Sequence, residues 1–366
     1  MRALLLLCLA GCGATPLRVP AEIELGRSRV RASVDSELAA VYAQPLWPSP
    51  PAPTGRAAEL HALWDAKPLD SENLRSLARA SSNDFAALYF ARRLLTEPRH
   101  ARAQKRFESA LARVRKGERP AWAPATRARY RVVFVPGMFY ERNPDNGAAM
   151  ETSRETLRRQ GFDVVFVRSD ENASVEANAK VVARYLRQAR DDGVECIVVS
   201  ASKGGPETAH AIGWEMRDED TRLVRGWISI GGILGGTPVA DHAMTSPRGF
   251  LLTIASLAFG ADMEVTASLT RERSAERNRR HRYPEHLRVY HYIGVPVSGS
   301  VGARVRDNFD RIARWGPNDG IALLGDQMLP QGDAILAIGW DHLFEDPDVH
   351  LKTLAAFWVL LEDLGA

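Results

Sequence analysis

The sequence predicts an α/β fold, a doubly wound and mostly parallel sheet with an inserted lid or cap and a helical region ahead of it. Three observations predict it. From Tyr130 onward, short β-branched apolar blocks alternate with amphipathic stretches, the pattern of a parallel sheet covered on both faces. The stretch "ECIVVSASKGGPETAHAI" (195–212) runs from such a block straight into a helix-like pattern through small residues. Residues 71–117 carry apolar side chains at three- and four-residue spacing, punctuated by Ser, Asn and Pro, which reads as two or three amphipathic helices.

Composition bounds the rest. A chain of 366 residues with 45% hydrophobic and 25% charged residues suits one large domain and a smaller one. The net charge of +3 is small and the arginines are scattered, so no basic stripe points to nucleic acid.

The N-terminus carries a different signal. Met1-Arg2 gives a positive start, Ala3–Ala10 an apolar run too short to span a bilayer, and "LAGC" (Leu9–Cys12) a small-residue cleavage site. This resembles a bacterial lipoprotein signal. The resemblance implies that residues 1–11 are a signal peptide and that Cys12 becomes a lipidated mature N-terminus. Acyl chains buried at about 0.8 kcal/mol per methylene would hold the protein to the cell envelope. Gly13, rather than aspartate, after the cysteine implies the outer membrane. A plain secretory signal or a mis-called start is the alternative, since the segment is short. Residues 12–34 are expected to be a tether, 35–120 a helical N-terminal region and 121–366 the main domain, with "PLWPSPPAPTG" (45–55) a proline-rich linker or surface loop. The helical region could be a cap, a partner-binding module or simple packing, and nothing in it is chemically pointed. No protein partner is identified. Of three cysteines, Cys8 and Cys12 belong to the signal, and Cys196 stands alone in an apolar strand. That position suits packing, and no disulfide or metal framework is available.

The elements follow in order. "RVVFVPG" (131–137) is a strand, "AAMETSRETLRRQG" (148–161) a helix, "DVVFVRS" (163–169) a strand and "SVEANAKVVARYLRQARDDG" (174–193) a helix. Then come the strand "CIVVSAS", a helix from Gly205, and the strands "VRGWISIGG", "LRVYHYIGVPVSG" and "AILAIGW", closed by the helix "DVHLKTLAAFWVLLEDLG" (348–365). Chemistry in such sheets sits at the carboxyl ends of the strands.

Ser202 lies at one of those ends. The frame Ser200-Ala201-Ser202-Lys203-Gly204 fits a nucleophile elbow, G-x-S-x-G, with Ser200 in place of the first glycine. An ordinary Ser/Gly turn would look the same over five residues. A serine becomes a nucleophile when an imidazole takes its proton and a carboxylate orients that imidazole. His342 in "GWDHLFEDP" follows the last strand, and Asp319 in "GPNDG" follows the one before. Asp326 and Asp333 share the loop and are rivals for the acid. His210, His281, His286, His291 and His350 lie on helices, in a charged segment or inside a strand.

The chain order Ser202, Asp319, His342 is that of the α/β-hydrolase fold, and residues 129–366 resemble a lipase or esterase of that group. "VFVPGMF", "SASKGG", "PNDG" and "WDHL" carry the resemblance, with "GGILGGTPVAD" (231–241) similar to a stretch of bacterial triacylglycerol lipases. It implies a serine hydrolase cleaving ester or lipid substrates through an acyl-enzyme, without cofactor or metal. Ser202 would be nucleophile, His342 base and Asp319 orienter. The backbone N–H groups of Lys203 and of Met138, or Phe139 one residue on, would form the oxyanion site. Pro136-Gly137 stands where the group often has His-Gly. The Lys203 side chain opposes the helix dipole and reads either as a substrate contact or as solvated and paired with Glu207. The insertion at 238–285 joins "GFLLTIASLAFGADM" to "RERSAERNRRHRYP". An amphipathic lid would read this way, with Phe250, Leu251 and Phe259 lining an acyl site beside Phe139. The same triad also serves thioesters, polyesters, amides and acyl transfer, and a catalytically silent envelope-binding protein remains a further reading.

Overall fold

The computed structural model describes residues 18–43, 45–245 and 263–365. Its centre is a six-stranded sheet of β3 (Tyr130–Val135), β4 (Asp163–Phe166), β5 (Glu195–Ala201), β6 (Val224–Ile230), β7 (Arg288–Val295) and β8 (Asp333–Ile338). The order across the sheet is β4-β3-β5-β6-β7-β8 with every pair parallel, as the apolar runs predict. Alternate side chains feed two cores. Phe134, Val199 and Ile228 meet Phe357 and Leu361 of the helix Val349–Asp363. Val133, Val198 and Trp227 meet Val182 and Leu186 of the helix Val175–Asp191. Burial on both faces leaves no polar alternation in these strands.

The expected tether is corrected. Residues 19–34 form an antiparallel hairpin, β1 (Val19–Leu25) and β2 (Ser28–Val34), with Ile23, Leu25 and Val34 wholly buried. The proline-rich segment is bound to it as a surface loop, since Leu46 N–H donates to Glu24 and Gly26 N–H to Trp47. Nor does the boundary at residue 120 separate two cores. The helices Ser71–Ala80, Asn83–Leu94 and Pro98–Arg115 occupy the stretch read as helical. Phe85, Phe90 and Leu94 share one cluster with Ile293, Val295, Leu336 and Ile338 of the sheet. Asn83–Leu94 is buried along most of its length, which makes it a core helix rather than a surface one.

Two polar devices fix this region to the sheet. The buried Asp84 carboxylate accepts from the N–H groups of Asp35 (2.7 Å) and Ser298 (2.8 Å) and from the Ser298 hydroxyl (2.5 Å). It thereby joins the end of β2 to the loop after β7. Burial, with Asp35 beside it, pushes this carboxyl up to about 6. At the sheet's edge, β8 would offer unpaired backbone groups. Side chains of the helix Pro98–Arg115 take them: Ala334 N–H donates to His100 Nδ1 (3.0 Å) and Leu336 N–H to Gln104 Oε1 (2.8 Å). Replacing Gln104 by leucine strands a buried N–H, so Gln104→Leu is expected to lower stability by about 1–3 kcal/mol. The urea unfolding midpoint should fall while far-ultraviolet circular dichroism of the folded state is unchanged.

Candidate active site

The strand β5 delivers Ser202 into a turn whose φ of 51° is left-handed, a conformation uncommon outside glycine that marks strained, functional corners. Backbone bonds hold it there. Ser202 N–H donates to Ile230 at the end of β6 (2.9 Å), and its carbonyl accepts from Gly205 N–H (2.9 Å). The corner requires glycine two residues after Ser202, because a Cβ on Gly204 would lie 2.6 Å from the Pro136 carbonyl oxygen. Two residues before it, a hydroxymethyl fits. Ser200 is buried and its Oγ accepts from Trp227 Nε1 at 2.8 Å. Trp227 sits diagonally across from Ser200 on β6, since Ser200 pairs with Ser229.

The structure brings the other two candidates to this corner. His342 Nε2 is 2.9 Å from Ser202 Oγ, and His342 Nδ1 is 2.9 Å from Asp319 Oδ2. Asp319 is fully buried. Its Oδ1 accepts from the N–H groups of Ile321 (2.9 Å) and Ala322 (2.7 Å), and its Oδ2 from Gln327 Nε2 (3.0 Å). These donors satisfy both carboxylate oxygens and fix their orientation. Asp319 also accepts His342 N–H on its backbone carbonyl at 2.9 Å, which fixes the spacing between the two loops. Burial alone would pull His342 down, but the Asp319 charge and hydrogen bond, with Asp341 adding to them, set it above the ordinary imidazole value.

The rivals lie elsewhere. Asp326 accepts from Ser71 Oγ (2.6 Å), and Asp333 begins β8, at the opposite end of the strand from the His342 loop. His210 and His281 bond to each other (2.9 Å). His286 contacts the Thr221 carbonyl, His291 accepts from Leu329 N–H, and His350 lies on the final helix.

Met138 lines the same cleft as Ser202, and Lys203 follows Ser202 in the turn. Among the described residues, neither backbone N–H is engaged by an acceptor. Asn146 pins the Met138 side, donating from Nδ2 to the Met138 (3.1 Å) and Phe139 (3.3 Å) carbonyls. The Lys203 side chain pairs with Glu207 as one reading had it, but it is buried rather than solvated. Its Nζ donates to the Ala173 carbonyl (2.8 Å) and lies 3.1 Å from Glu207 Oε1, which also accepts from Asn178 (2.8 Å). The side chain is thus structural.

The cleft beside Ser202 has room for about 170 Å³ and apolar walls that include Met138, Met150, Ile230, Phe344 and Val349. Phe139 has left-handed backbone, is 42% exposed and does not line this cleft as the described residues form it, a correction to its expected place in the pocket. Phe250, Leu251 and Phe259, with much of the expected lid, lie outside the described residues, as do Cys12 and the signal. Cys196 is buried in β5, and burial pushes its thiol up to about 12, so it packs without reacting. Among the described residues no three His, Cys, Asp or Glu side chains are grouped to hold a metal, and no helix is long and apolar enough to cross a membrane. Gln327, Asn146 and Trp227 were not foreseen, and only the Ser200–Trp227 pairing had a sequence signal, in the alignment of two adjacent strands.

No protein-family model matches the chain, and no curated protein matches it. Solved structures do. A metagenomic carboxyl esterase superposes with a TM-score of 0.53 at 22% identity, over 64% of this chain and 76% of that one. A Bacillus licheniformis lipase in mature form gives 0.52 at 22% identity, over 68% of this chain and 95% of that one. Its propeptide form gives 0.53 at 20% identity, over 68% and 52% respectively. The all-parallel sheet with its sharp turn after β5, and these likenesses, establish that the chain has the α/β-hydrolase fold.

Proposed function

We propose that the protein is a serine hydrolase that cleaves carboxylic esters through an acyl-enzyme on Ser202. The observation that carries this reading is the unbroken run of hydrogen bonds from Asp319 through His342 to Ser202 at the wall of an apolar cleft. Ser202 Oγ attacks the ester carbonyl carbon while His342 Nε2 takes its proton. The carbonyl oxygen, now negative, is held by the N–H groups of Met138 and Lys203, where losing one such donor costs about 2.7–4 kcal/mol of barrier. His342 then gives its proton to the departing alcohol oxygen, leaving the acyl group on Ser202. Water enters and its oxygen attacks the acyl carbon while His342 takes its proton, and the bond to Ser202 Oγ then breaks, releasing the acid as that proton returns to Ser202. Asp319 holds the imidazole in the tautomer with Nδ1–H facing it. The apolar cleft favours an uncharged ester, and the esterase and lipase among the similar structures support that class. The lipobox-like "LAGC" at Leu9–Cys12 supports attachment to a bacterial envelope membrane through a lipidated Cys12.

Labelling with a fluorophosphonate probe tests the nucleophile. The native chain should be labelled and Ser202→Ala should not, and label persisting on Ser202→Ala would refute the assignment. The base must be neutral to act, and its pKa is raised, so kcat/KM should fall as pH drops through a value above the ordinary histidine pKa of about 6.5. Asp319→Asn removes the raising charge. The acid limb should move to lower pH while kcat falls by about 10⁴-fold. For the anchor, Cys12→Ala is expected to shift the protein from the membrane fraction to the soluble one after expression in a bacterial host.

A further inference from the structure

Resting on the ester chemistry proposed above, the structure assigns a second apolar subsite behind Phe344, suited to an unbranched alkyl chain of the substrate. Ile230, Phe344 and Val349 are among the walls of the cleft beside Ser202. The same three side chains form one wall of a smaller hollow, whose other walls include Ile228, Tyr292 and Ala356. The hollow has about 30 Å³ of room, space for some two water-sized atoms at roughly 10–15 Å³ each. Asp346, Lys352 and Thr353 also line it, but the first two are paired with each other and the Thr353 hydroxyl donates to the Val349 carbonyl, so nothing there calls for a polar ligand. An apolar void of this kind stays dry and its lining forgoes contacts, and an alkyl chain would restore them.

Phe344 separates the two spaces. Its φ of 45° is left-handed, an outlier for a bulky aromatic residue and a mark of a functionally constrained position. The loop holds it there. Phe344 N–H donates to Asp341 (3.2 Å), and its carbonyl accepts from Asp346 N–H (2.6 Å). The ring leans on Tyr292, with centroids 5.5 Å apart, and on Gly231, where a Cβ would stand 3.0 Å from the ring. The hollow is therefore walled by β6, β7 and the final helix, while its partition sits on a loop two residues past His342. Rotation of the Phe344 ring joins hollow and cleft into one channel that begins at Ser202. Each methylene that enters is worth about fourfold in kcat/KM.

The test uses the full chain and two ester series. One varies the acyl group from acetate to decanoate with nitrophenol as leaving group; the other varies the alcohol from ethanol to octanol as acetates. Phe344→Ala, which opens the partition, should raise the long-to-short ratio of kcat/KM about tenfold in one series. Ala356→Val, which narrows the far wall and lies off the catalytic loop, should lower the ratio in that same series, and it keeps the test decisive if Phe344→Ala does not fold. The series that responds tells whether the acyl or the alcohol chain occupies the hollow. Unchanged ratios in both series, or equal changes in both, would overturn the subsite while Ser202-dependent hydrolysis left the ester reading standing. Failure of the native chain to turn over any ester would remove both.

Discussion

The distance between the turn after β5 and the end of β3 is the constraint on which the site depends. Gly204 stands against the Pro136 carbonyl, Gly205 against Gly232, and Gly137 against the Ser202 Cβ. Four glycines let three backbones converge within van der Waals contact, and Ser202 is left with one direction to point. The strain of its left-handed φ is offset by the N–H bond to Ile230 and the carbonyl bonds to Gly205 and Ile233, so the corner is over-determined rather than merely tight. His342 and Asp319 then need only arrive. Their loops are tied to each other through backbone as well as side chain, so the imidazole's orientation does not depend on a single contact.

The rest of the chain supports those loops. Asp84 fastens Ser298 in the segment that leads from β7 toward Asp319. Asp341, beside His342, accepts from Gly302 N–H (2.7 Å) at the start of the helix Ala303–Ile312 and from Leu343 N–H (3.1 Å). The N-terminal helices hence act on the site at a distance, by fixing the ground from which its loops spring.

Much of this was legible in the sequence for a physical reason. Strands buried on both faces must be apolar throughout, and the half-buried edge strand β4 is apolar after Asp163, so all six announced themselves, and the turn chemistry of Pro317-Asn318-Asp319-Gly320 marked a turn in the segment between β7 and β8. Ser202 and His342 could be picked out because each closely follows a strand's end, and Asp319 because it sits in a turn of the long segment between β7 and β8. What stayed hidden depends on partners far away in the chain. Gln327 and Asn146 are ordinary amides until the fold sets them against Asp319 and Met138. The burial of Lys203 is set by the Ala173 carbonyl, and the Phe139 side chain lies outside the cleft because the turn is left-handed at that residue. The hairpin of β1 and β2 did show alternation about Gly26, but charged residues on its outer face and Pro20 made it resemble a tether.

The sealing of β8 by His100 and Gln104 has a consequence for how this protein can vary. A sheet edge closed by side chains from another element is hard for a strand from a second copy to pair with, so the β8 edge is guarded against aggregation. The same closure means that the segment 35–120 is not an exchangeable module. A chain shortened there would bare both the edge of β8 and the apolar face around Ile293 and Leu336. Insertions and losses in related chains should therefore be tolerated in outer loops and refused at the helix Pro98–Arg115, whose side chains finish a ladder that the strands leave open.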